Sequence, residues 1–235
     1  MMTYPLTKKS TNGVNENPQA EKQGTRVPSL ESVELDIGKP ELPENFGEVV
    51  DGIYRSSFPQ PWNLPALRVL GLKTILTLVE EPYTSSHVSY LKENEIIHHR
   101  VAFIANKDPF IKTPESVVNH IMEILLNKAN HPILFHCNKG KHRTGCVTGC
   151  FRKLQGWDLR DIINEYLRYS RPKQRQLDEE FIQGFDTSKL AHLVQVSGAK
   201  SWHSSGRIYT NAKVDDDGNS PKHLLQPSSN RIRAT

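Results

Sequence analysis

Cysteine is scarce in this sequence: Cys137, Cys146 and Cys150 are the three among 235 residues. An odd number without paired spacing does not suggest a disulfide framework, and a reactive thiol requires a reducing compartment. The cytosol is the expected location, with the nucleus as the alternative. Long apolar runs are also missing. No segment approaches the ~20 residues that cross a bilayer. The start, Met1-Met2-Thr3-Tyr4-Pro5-Leu6-Thr7-Lys8-Lys9, lacks the apolar stretch of a secretory signal, so a soluble chain with no membrane span is expected. Charge of one sign is nearly balanced as well. The formal net charge is +4, and residues 46–185 carry 18 Lys and Arg against 15 Asp and Glu, a surplus of 3. A nucleic-acid surface interleaves aromatics with a basic stripe, and no such stripe is present, so nucleic acid is excluded as an expected partner.

Apolar content is thin at both ends. Residues 1–43 are rich in Lys, Asn, Glu, Ser and Pro, and residues 187–235 are similar, with an Asp215-Asp216-Asp217-Gly218 patch. Both are expected to lack fixed structure. That leaves 44–186 as one domain of ordinary size.

Within it, Gly47 to Val50 and Ile53 to Ser56 read as strands around an Asp51-Gly52 hairpin turn. A short helix is predicted over Trp62 to Leu70, a strand over Lys73 to Val79, a polar helix over Ser85 to Asn94 and a strand over Ile96 to Phe103. Thr113-Pro114 predicts an N-cap followed by proline in the first helical position. Val117, Val118, Ile121, Ile124 and Leu125 then form one apolar stripe. A strand at 132–136 precedes a helix bearing Val147, Phe151 and Leu154, and Asp158 is predicted to cap a helix with Leu159, Ile162, Ile163, Tyr166 and Leu167 inward. A last helix runs near Leu177 to Phe185. Strands alternating with helices predict an α/β fold, a mainly parallel sheet of four to five strands covered on both faces.

Between the 132–136 strand and the next helix lies His136-Cys137-Asn138-Lys139-Gly140-Lys141-His142-Arg143-Thr144-Gly145. A cysteine, five spacers and an arginine in that setting is the signature of a cysteine phosphatase. Backbone N–H groups at the helix start converge on an anion, and the same field favours a thiolate at Cys137, the expected nucleophile. Arg143 offers a planar fork for two phosphate oxygens. Gly140 and Gly145 supply backbone angles that side chains obstruct. His136 is placed to orient the loop, and Thr144 to donate its hydroxyl to the departing thiolate. Cys146 and Cys150, four apart on the helix, read as small core residues.

A phosphomonoester substrate also needs a carboxylic acid to protonate the leaving oxygen. Asp108, in Asn106-Lys107-Asp108-Pro109-Phe110, is the candidate, the alternative being a solvated Asp-Pro turn. Lys139 and Lys141 add cations beyond Arg143 and favour a polyanionic small molecule, the alternative being solvated loop lysines. A diphosphate would relax the need for an acid. Its leaving phosphate has a pKa near ~6 against ~15.7 for a hydroxide-like oxygen, and roughly 9–10 units correspond to about 13 kcal/mol of leaving-group stability. A general acid supplies only about 3–5 kcal/mol.

Taken together, Asp51-Gly52-Ile53-Tyr54-Arg55-Ser56-Ser57-Phe58-Pro59, Glu81-Pro82-Tyr83, Asn106 to Phe110, His136 to Gly145, and Lys173-Gln174-Arg175 with Asp178, Phe181 and Phe185-Asp186 resemble the plant and fungal atypical dual-specificity phosphatases that act on inositol pyrophosphates. The resemblance covers about residues 46–186. It implies the compact cysteine-phosphatase domain and removal of the β-phosphate of a diphosphoinositol polyphosphate, chiefly at the 5-position. No metal or other cofactor is implied. Cys137 would be the nucleophile and Arg143 the clamp, with Asn138, Lys139, Gly140, Lys141 and His142 cradling substrate and Asn106 and Lys107 over the pocket. Ser57 stands where the family has glycine, and Asp108 where it more often has glutamate. Two other functions stay open at this stage: a dual-specificity protein phosphatase acting on phosphoproteins, which would depend strongly on Asp108, and a non-catalytic phosphoinositide or phosphopeptide binder, which would need no nucleophile.

Overall fold

The structure, a computed structural model, describes residues 41–207 and 209. The expectations for residues 1–40, 208 and 210–235 lie outside the described residues.

Five strands, β1 (Gly47–Val50), β2 (Ile53–Ser56), β3 (Thr74–Thr77), β4 (Ile97–Arg100) and β5 (Ile133–His136), form one sheet in the order β1-β2-β5-β3-β4. Only the β1–β2 hairpin is antiparallel. The mainly parallel α/β expectation holds. Strand side chains alternate between two cores, as a period of two requires. Ile53, Leu76, Ile133 and Phe135 pack on one face against α3 (Glu115–Leu126), α4 (His142–Gln155) and α7 (Ala191–Ser197). Tyr54, Ile75 and Leu134 pack on the other against α1 (Leu64–Arg68) and α2 (Ser85–Glu93). Burial on both faces explains why these strands read as continuous apolar runs.

Register sets the stage for the site. Ser56 and Thr77 both pair with His136, so β2, β3 and β5 end level and the Cys137 loop leaves from the middle of that row. This is the carboxyl edge of the parallel strands, where open α/β sheets bind their ligands.

Behind the loop, α4 is almost wholly buried and is flanked by α5 (Leu159–Ser170) and α6 (Gln176–Gly184). A Cβ on Gly145 would meet the Tyr166 ring at 2.7 Å, and one on Gly149 would meet Ile182 at 2.7 Å. Gly145 is therefore a packing glycine within the helix, not the special-angle residue expected. Cys146 and Cys150 are core residues as read, and burial pushes both thiols up.

Three local readings differ. Pro114, not Thr113, occupies the N-cap of α3, because the Thr113 hydroxyl is taken by the Ile104 backbone, N–H at 2.9 Å and C=O at 3.2 Å. Asp158 is the N-cap of α5 but makes no side-chain cap bond, and Leu159 on the first turn is exposed. The folded region also continues past residue 186. A 3₁₀ turn (Ser188–Leu190), α7 and a second 3₁₀ turn (Ala199–Ser201) bury Leu190, Val194 and Ala199 in the main core. The Gln155 amide donates to the carbonyls of Ala199 and Trp202, 3.0 Å each. The apolar positions are concentrated in one short cluster, Leu190 to Val196, which the polar residues of the rest of 187–235 dilute in composition.

Ending the chain after Thr187 removes Leu190 and Val194 from the core, at about 1.5–3 kcal/mol each, and strands the Gln155 amide. The truncated protein is expected to show a clearly lower denaturant midpoint by circular dichroism; an unchanged midpoint would contradict this packing.

Candidate active site

The Cys137 loop is built by separating its donors from its acceptors. The N–H groups of residues 138–144 have no hydrogen-bond acceptor among the described residues. Their carbonyls behave oppositely. The Asn138 carbonyl accepts from the Phe58 N–H (3.3 Å), that of Lys139 from the Asn45 amide (2.8 Å), that of Gly140 from Arg55 Nη2 (2.5 Å) and that of Lys141 from the Gly145 N–H (3.0 Å). Seven free donors in succession at a helix N-terminus form an anion-binding nest. Gly140 makes the curl possible: its φ is +63°, and a Cβ there would lie 2.6 Å from the Ser56 and Ser57 backbone.

Cys137 is 3% exposed at the foot of this nest, and Arg143 is half-buried at its far end. Lys139 is exposed, and Lys141 and His142 are half-buried. The His142 ring lies 2.5 Å from the Lys173 carbonyl, which ties the loop to the α5–α6 connection. Asn138 donates to Glu81 (2.7 Å), and that bond, helped by Arg143, holds the Glu81 carboxyl below its usual range. Asn138 thus braces the 80–83 segment rather than presenting its amide to the nest.

Beneath the loop His136 is fully buried. Its Nε2 lies 2.6 Å from the Tyr83 hydroxyl and 3.1 Å from Thr77 Oγ1, which in turn lies 2.8 Å from His98 Nε2. Tyr83 stacks on His98 at 4.4 Å, and Phe58 meets the His136 ring edge-on at 5.0 Å. Burial, with His98 nearby, depresses the His136 pKa to about 3, so the ring is neutral at physiological pH. Thr144 is also fully buried, but its hydroxyl has no partner among the described residues, so the expected bond to the Cys137 sulfur is not formed.

The 106–110 segment does not converge on the loop as expected. Asn106 is 4% exposed and its amide donates to Asp178 Oδ1 (2.9 Å) and Cys146 Sγ (3.4 Å). Asp178, equally buried, also accepts from the Tyr166 hydroxyl (2.8 Å). Asn106 is therefore a tie between this segment and the helices behind the loop. Lys107 and Asp108 are exposed, and the Asp108 carboxylate accepts from the Phe110 N–H at 2.8 Å. Asp108 lines a cavity of about 290 Å³ between its own segment and α6, whereas Arg143 lines a separate cleft of about 510 Å³ with Glu80, Glu81 and Phe103. The cavity that Asp108 lines contains no residue of the Cys137 loop, so the anion nest, not cavity shape, marks the site.

A family model described as the tyrosine phosphatase family matches residues 42–203. The chain belongs to that family. It is 47% identical over 152 residues to the inositol diphosphatase SIW14 of Saccharomyces cerevisiae, a match spanning 64% of this chain and 54% of the yeast protein. It is 40% identical over 169 residues to the inositol diphosphatase DSP4 of Arabidopsis thaliana, spanning 71% of this chain and 85% of the other. Among solved structures, the core catalytic domain of the yeast PP-IP phosphatase SIW14 in complex with citrate superposes with a TM-score of 0.65 at 40% identity, covering 70% of this chain and 99% of that one. The fold is that of the cysteine phosphatases, which are hydrolases. Among the described residues no helix is long and apolar enough to cross a membrane.

Residues that sequence reading left without a role include Arg55, Glu81, Tyr83 and Asp178. Arg55 had a signal: an arginine inside a four-residue strand buried on both faces must have a partner.

Two outcomes are expected. Gly140→Ala places a Cβ against backbone that cannot yield and strains a positive φ, so phosphatase turnover should fall by at least about tenfold while the protein remains folded. The second concerns pH. The His136 pKa is lower in the folded state (about 3) than in the unfolded chain (6.5). The unfolded state therefore binds more protons below pH 6.5, and stability is lost as pH falls through that value. At pH 5 the cost from His136 alone is about 2 kcal/mol relative to pH 7. Urea midpoints at pH 5, 6 and 7 should fall in that order toward acid; a flat series contradicts the buried neutral ring.

Proposed function

We propose that this chain removes the β-phosphate of diphosphoinositol polyphosphates, with the 5-diphosphate preferred, through a phosphocysteine intermediate. The observation that carries this reading is the nest of seven unpaired N–H groups over Cys137, with Lys139, Lys141, His142 and Arg143 around it and no carboxylate of the 106–110 segment lining the Arg143 cleft. One phosphoryl group fills the nest. The remaining phosphates of a crowded polyanion need the surrounding cations. Relatives named inositol diphosphatases at 40–47% identity support the same substrate class.

In the first step the Cys137 sulfur attacks the β-phosphorus in line, forming the S–P bond while the bridging P–O bond breaks and its electron pair leaves on the α-phosphate. Arg143 and the loop N–H groups oppose the charge on the three equatorial oxygens. In the second step water attacks the phosphocysteine, the P–S bond breaks, and orthophosphate and the Cys137 thiolate are released, the water proton passing to solvent. The departing phosphate is a good leaving group without protonation. That suits an Asp108 whose carboxylate is exposed and bonded within its own turn.

The test compares a diphosphoinositol polyphosphate with a phosphotyrosine peptide in the wild type, Cys137→Ser and Asp108→Asn. Cys137→Ser should abolish turnover of both. Asp108→Asn should keep diphosphoinositol turnover within about tenfold, since the leaving group needs little of the 10²–10⁴-fold that a general acid supplies. Equal or faster turnover of the peptide would replace this reading with a protein phosphatase, and activity surviving in Cys137→Ser would sink the mechanism.

A further inference from the structure

Arg55 lies in the middle of β2, 85 residues before the glycine it serves, and is 1% exposed. Its guanidinium stacks on the Tyr169 ring at 3.7 Å, donates through Nη1 to Thr148 Oγ1 at 3.4 Å and through Nη2 to the Gly140 carbonyl at 2.5 Å. Its Nε has no partner among the described residues. The carboxylate whose charge acts on it is Glu165, whose own guanidinium partner is Arg152, at 2.8 Å. A buried guanidinium without a carboxylate of its own is costly to the fold, and such groups persist where geometry requires them.

We infer that Arg55 is a positioning residue for the reaction: by holding the Gly140 carbonyl down into the protein it turns the Lys141 N–H up into the phosphate nest. The link is the planarity of a trans peptide unit, in which C=O and N–H point in opposite directions, so fixing one fixes the other. The neighbouring carbonyls are held by backbone N–H groups or by an asparagine amide. The Gly140–Lys141 unit alone is anchored by a charged side chain, and it sits where φ is positive and where the Ser56–Ser57 backbone leaves no room for a Cβ. This unit is the most easily flipped of the loop, since glycine tolerates either peptide orientation. A flipped unit would aim a carbonyl at the incoming phosphate. The shape of the Arg55 side chain matters as well as its charge: a planar fork reaches Thr148 and Gly140 together while its face lies on Tyr169, and a lysine cannot do all three.

The inference rests on the N–H groups of residues 138–144 being the phosphate nest but not on inositol being the substrate's carrier. The probe is therefore inorganic phosphate as a competitive inhibitor, with each variant's active fraction counted by alkylation of Cys137. Arg55→Met, which keeps an unbranched stem without the guanidinium, should weaken phosphate inhibition by about tenfold and lower kcat by about 10²-fold, the loss expected for one misdirected donor in an anion site. Arg55→Lys should fall between it and the wild type, and KM should change less than kcat. Unchanged phosphate inhibition and kcat in folded Arg55→Met overturn the inference, as does a lower melting temperature with unchanged constants per active site. If neither Arg55 variant folds, Tyr169→Leu decides, because it uncovers the guanidinium: weaker phosphate inhibition supports the role and an unaltered constant overturns it. A wild type that phosphate does not inhibit overturns this inference and the reading of the loop together, whereas loss of the inositol substrate alone leaves this one standing.

Discussion

Seven successive backbone N–H groups without a partner go with loop carbonyls that face the other way, into the protein, where each of the four from Asn138 to Lys141 finds a donor. This loop meets that demand almost entirely from outside itself. Phe58, Asn45 and Arg55 supply three of the four donors, and only Lys141 is served from within the loop and its helix. The anion site and the segment from 44 to 58 are two faces of one hydrogen-bonded arrangement. The level ends of β2, β3 and β5 bring those faces together, and the close fit of Gly140 on the Ser56–Ser57 backbone fixes their separation.

The same economy governs the rest of the site. Two buried polar centres flank the loop, one below it around His136, Tyr83 and Thr77 and one behind it around Asp178, Tyr166, Asn106 and Cys146. In each, side chains from separate elements share hydrogen bonds that water would otherwise make, and satisfied networks of this kind rigidify what they touch. Burial pushes the tyrosine hydroxyls up and the imidazole down, so Tyr83, Tyr166 and His136 are all neutral at physiological pH. Positive charge is concentrated at the loop's outer side, on Lys139, Lys141 and Arg143.

The loop of the candidate site was legible in the sequence because it is contiguous: Cys137, Gly140 and Arg143 lie on one short segment whose flanks announce a strand and a helix. The sheet was legible for a similar reason, since strands buried on both faces leave apolar runs. What escaped reading depends on residues far apart in sequence. Asn106 sits two positions from Asp108, yet its amide is claimed by Asp178, 72 residues on, and nothing local to either residue shows it. Thr113 carries the ordinary mark of an N-cap, but Ile104 competes for its hydroxyl and prevails. The helix from Ala191 was hidden because it is only seven residues long and its neighbours to the C-terminal side are mostly polar, so the few buried side chains of this stretch, Leu190, Val194 and Ala199, barely alter the composition of residues 187–235.

The span between Arg55 and Gly140 also orders events in time. During synthesis the β1–β2 hairpin is made first and has no parallel neighbour until β5 follows, some 80 residues later. Closing so long a loop costs entropy before any contact rewards it, which slows folding and makes it cooperative. The anion site, compact as it is, therefore comes into being at the end of that closure, and a chain still folding carries the motif without the means to grip a phosphate.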